Sequence, residues 1–160
     1  MRALTIHRPW PWAIVHLPPS HRKGVENRTW PPPPSILGER MAIHAGLHFD
    51  AEALDFIAAR CPDDGPLPPL RPESHPTGIV GMATVVGYRN SLDEFLHSVH
   101  GLRGRVAPRN PWFVGPLGWL LADVVALPEP VVCKGAQGLW TVPAEVEELV
   151  LAQLAAARAA

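Results

Sequence analysis

The sequence predicts an α+β domain in which six or seven short strands, with three or four helices at their edges, form a small mixed barrel. Three observations lead there. Twenty prolines and thirteen glycines in 160 residues keep every element short. Apolar residues repeat with period two, or fill brief runs, in several places. Helical stripes are few, which fits a barrel better than a layered parallel sheet. The length suffices for one domain with a proper core, burying roughly 70% of its unfolded surface. With 47% hydrophobic and 18% charged residues the class is globular, not disordered.

Taken in order, Ala3 to Ile6 reads as a strand. His7-Arg8-Pro9-Trp10-Pro11-Trp12 turns into a helix, because prolines are tolerated where a first-turn N–H would lack a partner anyway. Trp10, Ile14 and Leu17 give that helix one apolar stripe, and Pro18-Pro19 stop it. A strand spans Lys23 to Trp30, followed by Pro31 to Pro34. Glu39 to Ala45 is the next strand, with Met41, Ile43 and Ala45 on one face and His44 on the other. Asp50 is placed to cap a helix over 51–60 that buries Leu54, Ile57 and Ala58. Residues 62–76 hold six prolines and read as an exposed loop.

Gly78 to Tyr88 is apolar on both faces and should be central. Ser91-Leu92-Asp93-Glu94 is a capping box opening a helix with Leu92, Phe95, Leu96 and Val99 on its stripe. A loop with Arg103, Arg105 and Arg109 follows. Trp112 to Val114 and Trp119 to Leu127 read as strands, with Pro128 and Pro130 breaking the chain after them. Lys134-Gly135 makes a turn before a last strand at Gly138 to Val142. Pro143 opens a C-terminal helix over 143–160, packed on the domain formed by 1–142, with Val146, Leu149, Val150 and Leu154 inward.

The formal net charge is −1, so a nucleic-acid partner would be gripped at a base or an end, not by a basic surface. Cys61 and Cys133 form neither a disulfide framework nor a zinc pattern, which fits a reducing cytoplasm. His44 and His48 lie across a strand end and do not converge on one ion, so no metal and no cofactor is expected. The N-terminus has no signal-peptide run and no stretch is long enough to span a membrane.

The densest chemistry is in Lys23-Gly24-Val25-Glu26-Asn27-Arg28-Thr29-Trp30. Strand alternation puts Glu26, Arg28 and Trp30 on one side, with Lys23 reaching in from a turn at Gly24. A carboxylate between two cations beside an indole can hold a flat polar ring. On this stretch alone the plainer reading is favoured, a surface strand with a solvated ion pair worth little.

These residues carry a resemblance. His7-Arg8-Pro9-Trp10, then Lys23-x-x-Glu26-x-Arg28-x-Trp30, then Gly78-Ile79-Val80-Gly81 with Lys134-Gly135-x-x-Gly138-Leu139-Trp140, occur in the order and spacing of the ASCH domain (activating signal cointegrator-1 homology), of the PUA-like superfamily. The match runs from Leu4 to about Val142. Arg8 stands where that family usually has glutamine. The resemblance implies a PUA-like mixed β-barrel of about five to seven short strands with three to four flanking helices. It implies a cleft for RNA or a nucleotide lined by His7, Trp10, Trp12, Lys23, Glu26, Arg28, Trp30 and Lys134. DNA, or a protein partner at the 62–76 loop, are the other partners it suggests. Trp12 and Trp30 are the better stacking candidates, each such contact being worth ~1–3 kcal/mol. Some relatives are hydrolases acting on a modified nucleoside or on RNA, which would make Lys23 and Glu26 catalytic. The threonine those amidohydrolases carry three residues after the lysine falls on Glu26 here.

Overall fold

The computed structural model describes residues 1–91, 96–98 and 110–159. The fold is α+β. Its strands are β1 (Arg2–Arg8), β2 (Val25–Arg28), β3 (Arg40–Phe49), β4 (Gly78–Asn90), β5 (Leu96–Ser98), β6 (Leu117–Val131) and β7 (Leu139–Thr141), and its helices are α1 (Trp10–Val15), α2 (Ala53–Ala58) and α3 (Ala144–Ala159). The chain divides into two compact units, the first comprising Met1–Arg22, Met41–Met82 and Val124–Ala160, the second Lys23–Arg40 and Ala83–Asp123. Both β4 and β6 contribute residues to each unit.

In the first unit the strand order is β6-β4-β3-β1-β7. β1 runs parallel to β3, pairing Leu4 with Ile43, Thr5 with His44 and Ile6 with Ala45, and antiparallel to β7, pairing Ala3 with Trp140. Parallel neighbours need a crossover between them, and α1 lies in that crossover. Pro9 precedes α1 and Pro11 sits in its first turn, while Pro11, Ala13, Ile14 and Val15 are buried. Met41 through Gly46 are all buried, so β3 is covered on both faces and His44 does not point to water. One core cluster joins Ala3, Ala42, Ile79, Leu127 and Val142 to Val150 and Leu154 of α3. Burying an aliphatic side chain of that size contributes about 1.5–3 kcal/mol, which is what holds α3 in place. Leu149, expected inward, is instead exposed, and the stripe runs through Val146, Val150 and Leu154.

In the second unit β2 pairs antiparallel with β6, Glu26 opposite Trp119 and Asn27 opposite Gly118. β6 is followed by β4, which carries β5 on its other side. Val25, Ile36, Val85, Trp112, Trp119 and Leu121 are buried there.

Several expectations change. Residues 96–98 form a strand, with Tyr88 opposite His97, and not part of a helix. The rest of that expected helix, and Arg103, Arg105 and Arg109, lie outside the described residues. Trp112 to Val114 is a turn segment, not a strand. It is held by the Asn27 amide, which donates to the Trp112 carbonyl at 2.9 Å and accepts from the Val114 N–H at 3.0 Å. Asp50 does not cap α2 with its side chain, and the helix starts at Ala53 with Ala53 and Ile57 buried. Pro128 and Pro130 do not end β6. Both are exposed, as a residue without an N–H must be in a strand. Among the described residues no helix is long and apolar enough to cross a membrane.

Candidate functional site

The eight expected ligand residues divide between the units. Lys23, Glu26, Arg28 and Trp30 belong to the second, and His7, Trp10, Trp12 and Lys134 to the first.

In the second unit Lys23 turns back from before Gly24. Its Nζ donates to Glu26 Oε2 at 2.7 Å and to the Val25 carbonyl at 2.6 Å. Arg28 Nε lies 3.3 Å from the other Glu26 oxygen, at ion-pair distance but without hydrogen-bond alignment. Lys23 is 2% exposed and Glu26 7%, while the Arg28 side chain keeps about a fifth of its surface. The carboxylate therefore neutralises two cations inside the protein. The Lys23 amine, facing two groups that can only accept, is committed as a donor. Trp30 lies beyond the end of β2 and packs edge-on against the fully buried Trp119, ring centres 4.8 Å apart. The Trp119 indole N–H donates to the Trp30 carbonyl at 3.0 Å.

In the first unit His7 is exposed and lies against His48, ring centres 4.5 Å apart. Trp10 meets Phe56 of α2 edge-on. Trp12 lines a hollow of about 20 Å³, the room of a single water, together with Arg8, His16 and His75. Partial desolvation lowers the His16 pKa below its usual value although the residue as a whole is exposed, and the neighbouring His75 adds to that.

Lys134 lines a different and much larger recess, of about 770 Å³, between the end of β3 and the irregular segment 132–137. Its floor is built by register. Thr5 and His44 sit directly opposite each other on β1 and β3. His44 Nε2 lies 3.0 Å from the Cys133 carbonyl, which can only accept, so that nitrogen carries the hydrogen. Nδ1 then accepts from the Thr5 hydroxyl at 3.3 Å, and Thr5 Oγ1 accepts from the Trp140 indole N–H at 3.0 Å. Gly135 lies on top of this chain. A Cβ there would stand 2.5 Å from His44 Cε1 and 2.7 Å from Thr5 Oγ1. Beside it, burial pushes the Cys133 thiol pKa up, and a hydrogen bond with the Ile79 backbone opposes that shift.

Thr5, His44 and Gly135 were not among the residues expected at a site. The signal was present in part, since Lys134-Gly135 and Trp140 belong to one motif, but nothing local ties that motif to β1 and β3. Arg8 was also missed. Its guanidinium donates to the carbonyls of Gly46, Leu47, Pro72 and His75 at 2.7–3.0 Å. It thereby clamps the loop 62–76, whose His75 is buried and bonds the Pro69 carbonyl at 2.7 Å. Among the described residues no group of three His, Cys, Asp or Glu side chains is arranged to hold a metal.

Comparison of the sequence with models of known protein families gives no match, and comparison with curated proteins gives none either.

Proposed function

We propose that this chain is an ASCH-type, PUA-like module that binds RNA or a nucleotide, with its ligand seated in the first-unit recess beside Lys134. The observation that carries the reading is that recess. Its volume of about 770 Å³ falls in the range of small-ligand sites, and an exposed ammonium stands in its lining, where none of the described residues is acidic. In the second unit Lys23 and Glu26 support the module from inside, as an ion pair that keeps the signature strand in register. Their geometry favours this supporting role over that of a hydrolase, because Lys23 is 2% exposed and its Nζ is turned to Glu26 and the Val25 carbonyl, which leaves a substrate little access to it.

The net charge of −1 makes the phosphate contribution small, so affinity should fall only gently with salt. The test is fluorescence anisotropy with a labelled short single-stranded RNA, competed by single-stranded DNA of the same sequence. Saturable binding, weakened in Lys134→Ala, is the expected result. Absence of binding at about 10⁻⁴ M protein, the weak limit of non-specific nucleic-acid association, would remove the reading.

A further inference from the structure

Independently of the RNA reading, we propose that Pro66-Leu67-Pro68-Pro69-Leu70-Arg71 is a preformed docking segment, and that its partner is a protein domain with an aromatic-lined groove bounded by a carboxylate. Backbone conformation comes first. Pro66, Pro68 and Pro69 have φ fixed by their rings, and Leu67 and Pro68 each precede a proline, which holds them extended. These restrictions leave polyproline II, with three residues per turn and no internal hydrogen bonds. Residues 66–69 accordingly form neither helix, strand nor turn. Arg71, also before a proline, is extended at φ −97° and ψ 134°.

Burial follows the threefold repeat. Pro68 is turned to the protein and buried. On the second edge Pro66 is exposed and Pro69 half-buried, and on the third Leu67 is 65% and Leu70 77% exposed. One edge therefore anchors the segment, and two are offered to water. The anchoring is reinforced by hydrogen bonds. His75 Nε2, on a side chain that is itself buried, donates to the Pro69 carbonyl at 2.7 Å. The Arg8 guanidinium holds the Pro72 and His75 carbonyls at 3.0 and 2.8 Å, just past the segment. Folding has already ordered these residues, so a partner meets a shape that costs little further entropy to bind.

The partner's chemistry is read from the two open edges and the charged end. Two prolines at Pro-x-x-Pro spacing, with leucines beside them, present the ridges that aromatic-lined grooves take. Arg71 is exposed and is the one cation in the loop. Asp63, Asp64 and Glu73 are exposed too, and among the described residues none of them pairs with it. A polyproline II segment looks much the same from either end, so a carboxylate of the partner facing Arg71 would set its direction.

The probe is a purified, dye-labelled SH3 domain of the class whose ligands carry arginine two residues after the second proline. It is titrated with the full chain and followed by fluorescence anisotropy. Saturable binding is expected, at least about threefold tighter than that of a synthetic peptide of residues 64–73, which must be ordered on binding. Pro66→Ala and Arg71→Glu, both at exposed side chains, should each weaken binding by about tenfold and leave the urea midpoint unchanged. Arg8→Gln removes the tie, and its affinity should fall to that of the peptide. No saturation by about 1 mM chain overturns the proposal. So does equal binding by the wild type and Arg71→Glu, which would put the probe elsewhere on the surface. Binding of the peptide without binding of the chain overturns it as well, because the fold would then not present the segment. Wild-type affinity in Arg8→Gln would overturn the claim that the segment is preformed.

Discussion

Replacing Glu26 by leucine should be among the most damaging single changes in the second unit. The carboxylate sits 2.7 Å from the Lys23 ammonium and 3.3 Å from the Arg28 guanidinium, and Lys23 is 2% exposed. With Glu26 gone, Lys23 loses the carboxylate that balances its charge while remaining almost wholly buried. Breaking a buried pair by removing one partner costs about 3–5 kcal/mol. Arg28, which keeps about a fifth of its side-chain surface, can turn outward and adds little to this. Replacing both members, as Lys23→Met with Glu26→Leu, removes the stranded charge and should recover most of the loss, because apolar replacements of buried pairs are often neutral. The assay is urea unfolding followed by tryptophan fluorescence and by circular dichroism. With a slope of about 2 kcal/mol per M, Glu26→Leu should lower the midpoint by roughly 2 M. A loss below about 1 kcal/mol would be that of a solvated surface pair, and would refute the reasoning. So would a double variant no more stable than the single one.

Gly135→Ala should lower stability by about 1–3 kcal/mol on the same assay. The new methyl would meet the His44 ring at 2.5 Å, and that ring is bonded at both nitrogens and cannot swing aside. Arg8→Gln cannot reach four carbonyls and should free the loop 62–76, read as faster proteolytic cleavage within that loop in a timed digest followed by mass spectrometry. His16 has its folded pKa below the usual 6.5, so the unfolded chain takes up the proton first as pH falls. Stability is retained above about pH 6.5 and declines as pH drops toward the folded value. His16 is exposed, so water screens the effect and the decline should be shallow. Comparing urea midpoints of the wild type and His16→Asn at about pH 7 and about pH 5.5 should show a smaller pH dependence in the variant.

Much of the strand pattern was legible. β1, β3, β4 and β7 all fall within or around the stretches whose apolar residues alternate or run together, because a strand's side-chain period is local and proline and glycine bound it. The link between Glu26 and Arg28 was legible too, since residues two apart on a strand share a face. What failed were segments whose state depends on a distant neighbour. Leu96-His97-Ser98 lies within an expected helix opened by a capping box, yet it pairs with the edge of β4. Trp112 to Val114 looks like a strand by composition, yet one asparagine more than eighty residues away takes its backbone bonds. The C-terminal stripe was misjudged by one position at Leu149, because 3.6-residue periodicity specifies a face only to within its width.

By itself the sequence determined an α+β chain of short elements punctuated by proline and glycine, and a charged strand in which one carboxylate answers two cations. Tertiary structure alone decided that those charges are buried, and that Thr5, His44, Gly135 and Trp140 meet. The physical reason is register. Which residues face each other across paired strands depends on contacts far apart in the chain, and a shift of one position would turn Thr5 and His44 away from each other while leaving every local signal unchanged.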